Sequence, residues 1–188
     1  MIEASAPKPF KATRIRVGAA VAVAVAVAFI VWLVARPGGD SPSTSSTRTE
    51  PVAASVSDLT SVAGSLNHQL YWVGQKSGFT YELTKAKSGN VWVRYLPSGT
   101  QVGDTRANFL TIGTYPKTNA FQSVQSATKR TGAVAVKAAN GAAAVQYTAR
   151  PSSVYVAFPN SNVLIEVFDP NPATARSVVA SGVLRSLG

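Results

Sequence analysis

Residues 17–35 form an uninterrupted run in which Gly18 is the one residue outside the apolar set and no side chain is charged. A helix of this length spans roughly 28 Å, close to the roughly 30 Å hydrocarbon core of a bilayer. Its Ala-Val alternation has the period of a strand, but the run is much longer than ordinary strands, and in lipid a helix satisfies its own backbone hydrogen bonds. The run therefore predicts a single transmembrane helix.

The charges on either side of this run predict its orientation. Residues 1–16 carry four basic side chains against one acidic one, whereas residues 36–56 carry two of each sign. Basic residues concentrate on the cytoplasmic side of membrane helices, so we expect a cytoplasmic N-terminal tail. A cleaved signal peptide is the alternative, but the run is longer than a signal peptide's apolar region, and Leu33 stands where cleavage needs a small residue. The pattern favours an uncleaved signal-anchor in the plasma membrane.

Residues 36–56 are rich in Pro, Gly, Ser and Thr, a composition that predicts a disordered linker. The residues that follow, 57–188, are numerous enough for one extracytoplasmic domain with its own core. The chain contains no cysteine, which excludes disulfide bonds and thiol chemistry. The stability of the domain must then come from packing and hydrogen bonds.

The domain is expected to begin with a short helix over residues 57–67, capped by Ser57, and to continue as strands separated by Gly and Pro. The clearest hairpin joins residues 79–86 to residues 90–96 through a turn that ends at Gly89.

The turn fixes the register of that hairpin. It places Thr84 opposite Trp92 and Glu82 opposite Arg94, and it separates an apolar face from a more polar one. We expect Glu82 and Arg94 to form an ordinary surface ion pair of small energetic value.

The remaining elements occur in two similar orders. Strands at 79–86, 90–96 and 109–115 precede a helix from Asn119 to about Thr131, and strands at 143–150, 154–158 and 163–168 precede a helix capped by Asn171. An internal duplication explains this order, and so does the general frequency of hairpins that feed helices. The predicted class is α+β, with a largely antiparallel sheet and two or three helices packed on one face.

The inventory of chemical groups predicts no catalytic residue, metal site or cofactor. His68 is the single histidine, and zinc sites need three or four His or Cys ligands. No nucleophile elbow, phosphate-binding loop or dinucleotide fingerprint occurs. Glu82 and Glu166 are the one pair of acids on predicted strands, and they leave open a carbohydrate hydrolase as an alternative.

The polar face of the hairpin is the best candidate binding surface. Trp92, Glu82 and Arg94 lie on it, Trp72 precedes it, and the loop at 97–106 is placed to fold over it. An aromatic ring beside an arginine can stack on a sugar or hold an anionic group. The alternative is that this face packs under a helix and that Trp92 belongs to the core.

The predicted domain is basic, with twelve Lys and Arg against five Asp and Glu in residues 57–188. Outside the cytoplasm this charge favours anionic lipid headgroups or anionic wall polymers over nucleic acid as partners. The charges are scattered along the chain, however, and scattered charges are typical of a solvated surface.

Several motifs carry a resemblance to known proteins. The order YW-x-G, TYELT, VRYLP-x-G and LT-x-x-TYP, which begins at Tyr71, resembles that of uncharacterised actinobacterial single-pass membrane proteins. The resemblance implies the same membrane topology and brings no activity or site residues with it.

These observations give a first hypothesis and two alternatives. The first hypothesis is a membrane-anchored extracytoplasmic domain with a non-catalytic binding or scaffolding role in the cell envelope, whose partner is another envelope protein or an anionic wall polymer. The alternatives are an envelope carbohydrate hydrolase and an accessory subunit of a membrane complex.

Overall fold

The computed structural model describes residues 48–187. The predicted tail at 1–16, the transmembrane helix at 17–35 and linker residues 36–47 lie outside the described residues. Within residues 48–187, no helix is both long enough and apolar enough to cross a bilayer.

The described chain is an α+β domain built on a large antiparallel sheet, as the sequence predicts. Its helices are α1 (Val56–Ser65), α2 (Ala120–Ala127) and α3 (Pro172–Ser181). Its strands are β1 (Val52–Ala54), β2 (Leu70–Trp72), β3 (Phe79–Lys85), β4 (Val91–Pro97), β5 (Thr111–Pro116), β6 (Ala133–Ala135), β7 (Ala143–Tyr147), β8 (Arg150–Ala157), β9 (Val163–Phe168) and β10 (Arg185–Leu187). Eight of them form one sheet in the order β1-β3-β4-β5-β9-β8-β7-β6, and β2 pairs with β10.

The register predicted for the β3–β4 hairpin is confirmed. Glu82 lies opposite Arg94 and Thr84 lies opposite Trp92. Gly89 ends the connecting turn with a φ of 86°, a left-handed conformation that favours glycine.

The sheet begins inside the segment predicted to be linker. β1 pairs with β3, so that Val52 lies opposite Leu83, and Arg48 forms a further bridge with Ala86. Strand β3 would otherwise be an edge with unpaired backbone groups, and β1 satisfies them. The boundary predicted at residue 57 is therefore too late, because pairing with β3 is invisible in the composition of this segment.

Two helix ends differ from the prediction for local reasons. Ser55, not Ser57, caps α1, because its hydroxyl accepts from the Asp58 N–H while the Asp58 carboxylate accepts from the Ser55 N–H. Helix α2 begins after Asn119 but ends at Ala127, several residues before Thr131.

Helix α3 has the ends that the sequence predicts. The Asn171 side chain accepts from the Ala173 N–H, Pro172 occupies the first helical position, and Gly182 ends the helix at a φ of 77°.

The expectation that the helices share one face is wrong, since they cover both faces of the sheet. One layer holds α1 and α3 against alternate side chains of the strands, among them Leu83, Val93, Ile112, Val154, Ile165 and Val167. The other layer holds α2 against the intervening side chains, among them Trp92, Tyr115, Val145, Tyr155 and Leu164. Strands β8 and β9 are apolar on both faces and need a cover on each.

Strand β5 is shaped around a close approach between two of its own residues. Tyr115 lies two positions after Gly113 on the same face, and its ring folds back over the glycine. A Cβ atom at Gly113 would lie 2.5 Å from the Tyr115 hydroxyl oxygen. The glycine is therefore required for space.

We expect Gly113→Ala to lower the free energy of unfolding by about 1–3 kcal/mol, because the added methyl group forces the Tyr115 ring out of its position. Urea unfolding followed by circular dichroism measures the change. The matched control is Gly64→Ala in α1, where nothing lies within 4 Å of the added Cβ and helix propensity alone should raise stability by about 0.5–1 kcal/mol. Equal stability of Gly113→Ala and the unmodified chain would contradict the steric explanation.

Candidate functional site

The Glu82–Arg94 pair is buried, which corrects the expectation of an ordinary surface ion pair. Arg94 Nη1 donates to Glu82 Oε1 at 2.5 Å, and the two side chains are 11% and 1% exposed. The pair is buried because the connection between β4 and β5 folds over this part of the sheet, as the sequence analysis anticipated.

This connection, residues 98–110, is called the clamped loop below because the ion pair holds its backbone. Glu82 Oε2 accepts from the Gly103 N–H at 2.6 Å. Arg94 donates to the carbonyl oxygens of Asp104 and Arg106, each at 3.0 Å. Both members of the pair thus also bond to the backbone of the loop.

The outer part of the clamped loop carries a second ion pair. Arg106 Nη2 lies 2.6 Å from Asp104 Oδ2, and the Arg106 hydrogen bonds lower the pKa of Asp104 to about 2. The guanidinium carbons of Arg94 and Arg106 lie 5.0 Å and 5.9 Å from the centroid of the Phe109 ring. Residues 99–106 line an open concavity of about 560 Å³.

The two predicted tryptophans do not join this site. Trp92 is 3% exposed, its Nε1 donates to the Tyr115 hydroxyl at 2.9 Å, and the Arg48 guanidinium lies 4.9 Å above its ring. Trp72 is also buried, but in the α1/α3 layer on the opposite face, edge-on to Tyr81. Of the four predicted binding residues, the structure brings Glu82 and Arg94 into direct contact, and the rings are not available as sugar platforms.

Glu166 lies on the same face as Glu82 and is surrounded by hydroxyl groups. Tyr115 donates to Oε2 at 2.8 Å, Ser153 donates to Oε1 at 2.7 Å, and the Tyr155 hydroxyl lies 3.3 Å from Oε1. Burial raises the pKa of Glu166, and burial beside Glu166 raises the pKa of Tyr115. Trp92, Tyr115 and Glu166 therefore form a continuous buried chain of hydrogen bonds.

Glu82 and Glu166 do not form the pair of carboxylates that glycoside hydrolysis needs. They lie on β3 and β9, which are separated by β4 and β5. Three steps between neighbouring strands put the backbones of β3 and β9 about 14 Å apart. Each carboxylate is also enclosed and bonded to its own donors.

His68 has a structural contact. Its Nε2 atom lies 2.9 Å from the carbonyl oxygen of Gly89, which ties the chain after α1 to the β3–β4 turn. Among residues 48–187, no three His, Cys, Asp or Glu side chains are grouped in a way that could hold a metal ion.

The sequence analysis missed the partners of Glu166. Tyr115 lies on β5, 51 residues before Glu166, and Ser153 lies in the part of β8 that precedes the strand predicted at 154–158. It also did not identify the contacts of the clamped loop with Glu82 and Arg94, because all three use backbone atoms of the loop.

A comparison of the chain with protein-family models, with curated proteins and with solved structures finds no match. The interpretation of the site therefore rests on its own geometry.

Replacing Arg94 by Met should lower the free energy of unfolding by about 3–5 kcal/mol, because Glu82 would be left as an unpaired buried charge. Hydrogen exchange of the amides at 98–110 should rise in the same variant, since the loop loses its side-chain anchors. Asp104→Asn is the matched control, because it removes an exposed pair worth less than about 1 kcal/mol. Equal losses in the two variants would contradict the clamp.

The raised pKa of Glu166 gives stability a definite dependence on pH. The folded protein retains this proton to a higher pH than the unfolded chain, whose pKa is near 4.5. The contribution of Glu166 is then fully present below that value and is lost as pH rises through the folded-state pKa. The melting temperature of the unmodified chain minus that of Glu166→Gln should therefore fall with rising pH.

Asp104→Asn is the control for this prediction, because its effect on stability should depend on pH in the opposite direction. Because the pKa of Asp104 is lowered to about 2, the stability it contributes is present above its ordinary value of 3.8 and is lost on acidification. The corresponding difference for Asp104→Asn should fall as pH is lowered. A flat difference for Glu166→Gln between mildly acidic and alkaline pH would refute the assignment.

Proposed function

We propose that the chain is a single-pass plasma-membrane protein whose C-terminal domain lies outside the cytoplasm and binds an envelope partner without catalysing a reaction. The apolar run at 17–35 and the excess of basic residues before it support the anchor and its orientation. The motif order that begins at Tyr71 supports the same topology.

The clamped loop is the observation that carries the binding role. It joins β4 to β5 over thirteen residues, 98–110, that belong to no strand or helix. Connections of this length in compact domains are usually functional or disordered. This one is held by a buried ion pair, so its open surface is preformed and binding costs little ordering entropy.

The chemistry of the loop indicates a polar partner. Gln101 and Arg106 are exposed, Thr100 and Thr105 are partly exposed, and the concavity that they line is open to solvent. These groups are suited to hydrogen-bonding with an extended polar segment of an envelope protein or with an anionic wall polymer.

Neither alternative has comparable support. The hydrolase hypothesis needs Glu82 and Glu166 facing one cleft, whereas each carboxylate is buried and bonded to its own donors. An accessory subunit that docks through an apolar face needs a contiguous patch. The large apolar side chains that are exposed within residues 48–187 are Val52, Val134 and Val183, which come from separate segments, two of them from opposite edges of the sheet.

The binding role is tested by placing a photo-crosslinking amino acid at Gln101 in the full chain and irradiating intact cells. We expect a discrete adduct from this position, because the loop surface is the contact site. Gln122, an exposed glutamine on α2, is the matched control position and should give no adduct.

Two further variants sharpen this experiment. Adding Arg94→Met should abolish the adduct, since the loop surface would no longer be preformed. Orientation is checked with single cysteines, since the chain has none. Ser88→Cys should react with a membrane-impermeant maleimide in intact cells, and Ser5→Cys should react after permeabilisation alone. Equal adducts from Gln101 and Gln122, or the reverse labelling pattern, would refute the proposal.

A further inference from the structure

One end of the large sheet gathers four connections that are far apart in the sequence. Gly89 ends the β3–β4 turn there, the Lys117 N–H donates to the carbonyl of Asn162 at 2.8 Å, and the Val136 N–H donates to the carbonyl of Ala144 at 3.0 Å. These bonds bring residues 86–90, 116–119, 136–142 and 158–162 to the same end.

This end is strongly basic and is called the basic end below. Lys87 and Lys137 are exposed, and three further cations are partly exposed. Glu50 is the one acidic residue at this end in the described part of the chain. The five cations are Arg48, Lys85, Lys87, Lys117 and Lys137.

The opposite end has a mixed charge. Asp58, Asp104 and Asp169 lie there, at the start of α1, in the clamped loop and after β9, interleaved with cations such as Lys76 and Lys129. The remaining two acids of the domain, Glu82 and Glu166, are buried within the sheet. The asymmetry between the ends therefore arises from where the few acids lie.

The chain also enters the domain at the basic end, because Arg48 pairs with Ala86 beside the β3–β4 turn. Twelve residues, 36–47, separate Arg48 from the apolar run. Even fully extended, this stretch spans at most about 45 Å. Arg48 is thus held within about 45 Å of the bilayer surface if residues 17–35 are the anchor.

We propose that the basic end rests on anionic phospholipid headgroups beside the protein's own anchor. Lysine and arginine near an anionic surface are attracted within about one Debye length, roughly 8 Å at physiological salt. The proposal rests on the proposed anchor, and it adds a second contact with the membrane. It also directs the clamped loop, at the other end of β4, away from the bilayer.

The test uses the full chain in nanodiscs with a fluorophore on a single cysteine. Ser88→Cys places the fluorophore at the basic end. Ser77→Cys places it at the opposite end, just before Phe79, which pairs with Pro97. The lipid is phosphatidylcholine alone or an equimolar mixture with phosphatidylglycerol, each containing a headgroup spin label as quencher. We expect quenching at Ser88 in the mixed lipid, relief of it by high salt, and little quenching at Ser77 in either lipid.

Charge reversal separates a specific contact from proximity. Lys87→Glu combined with Lys137→Glu should lower the ratio of membrane-contacting to detached domain by at least about tenfold. Each cation near an anionic surface raises this ratio about fivefold. Lys76→Glu with Lys129→Glu makes the same change in charge at the other end and should leave quenching unchanged. Thermal melting of both double variants shows that the fold is retained.

The failures are distinguishable. A chain that does not remain with the nanodiscs refutes the anchor and with it this contact. A chain that remains but shows equal quenching with and without phosphatidylglycerol refutes the headgroup contact alone and leaves the basic end to a protein or to an anionic polymer. Loss of quenching in both double variants equally also overturns the proposal, because the contact would then follow net charge and not this end.

Discussion

The ion pair between Glu82 and Arg94 is the contact on which the shape of the clamped loop depends. A carboxylate enclosed in a protein is tolerated when a cation and donors match its charge and lone pairs. Arg94 and the Gly103 N–H fill this role, and Arg94 also donates to the loop carbonyls of Asp104 and Arg106. Loop and pair are therefore mutually dependent, because releasing the loop leaves buried polar groups without partners.

Glu166, the second buried acid on this face, is stabilised by a different set of contacts. Hydroxyl groups donate to Glu166 and the charge of Arg150 also favours its ionised form, but burial outweighs these effects and the pKa of Glu166 rises. The arrangement depends on Gly113, which lies between Trp92 and Glu166 in the register and leaves room for the Tyr115 ring. One missing side chain thus lets a single hydroxyl bridge two strands.

The sequence predicted the contacts between residues that are close in the chain better than the contacts between distant ones. The β3–β4 register is confirmed because a short turn ending in Gly89 determines it locally. Tyr115 was missed as a partner of Glu166 because β5 and β9 pair across about fifty residues of intervening chain, where no local signal exists. The helices on both faces were missed although a signal was present, since residues 154–158 and 163–168 are apolar at every position except Glu166, which is typical of strands covered on both sides.

Strand β4 connects the clamped loop to the basic end. The clamped loop leaves β4 at Pro97, and the basic end begins before Val91, so about 20 Å of hydrogen-bonded sheet separates them. Because both ends belong to one continuous sheet, the orientation of one end determines the orientation of the other. The loop end is less basic than the other end, because Asp58, Asp104 and Asp169 lie among its cations. If the domain meets an anionic bilayer, this difference favours contact through the basic end, with the preformed loop surface outward.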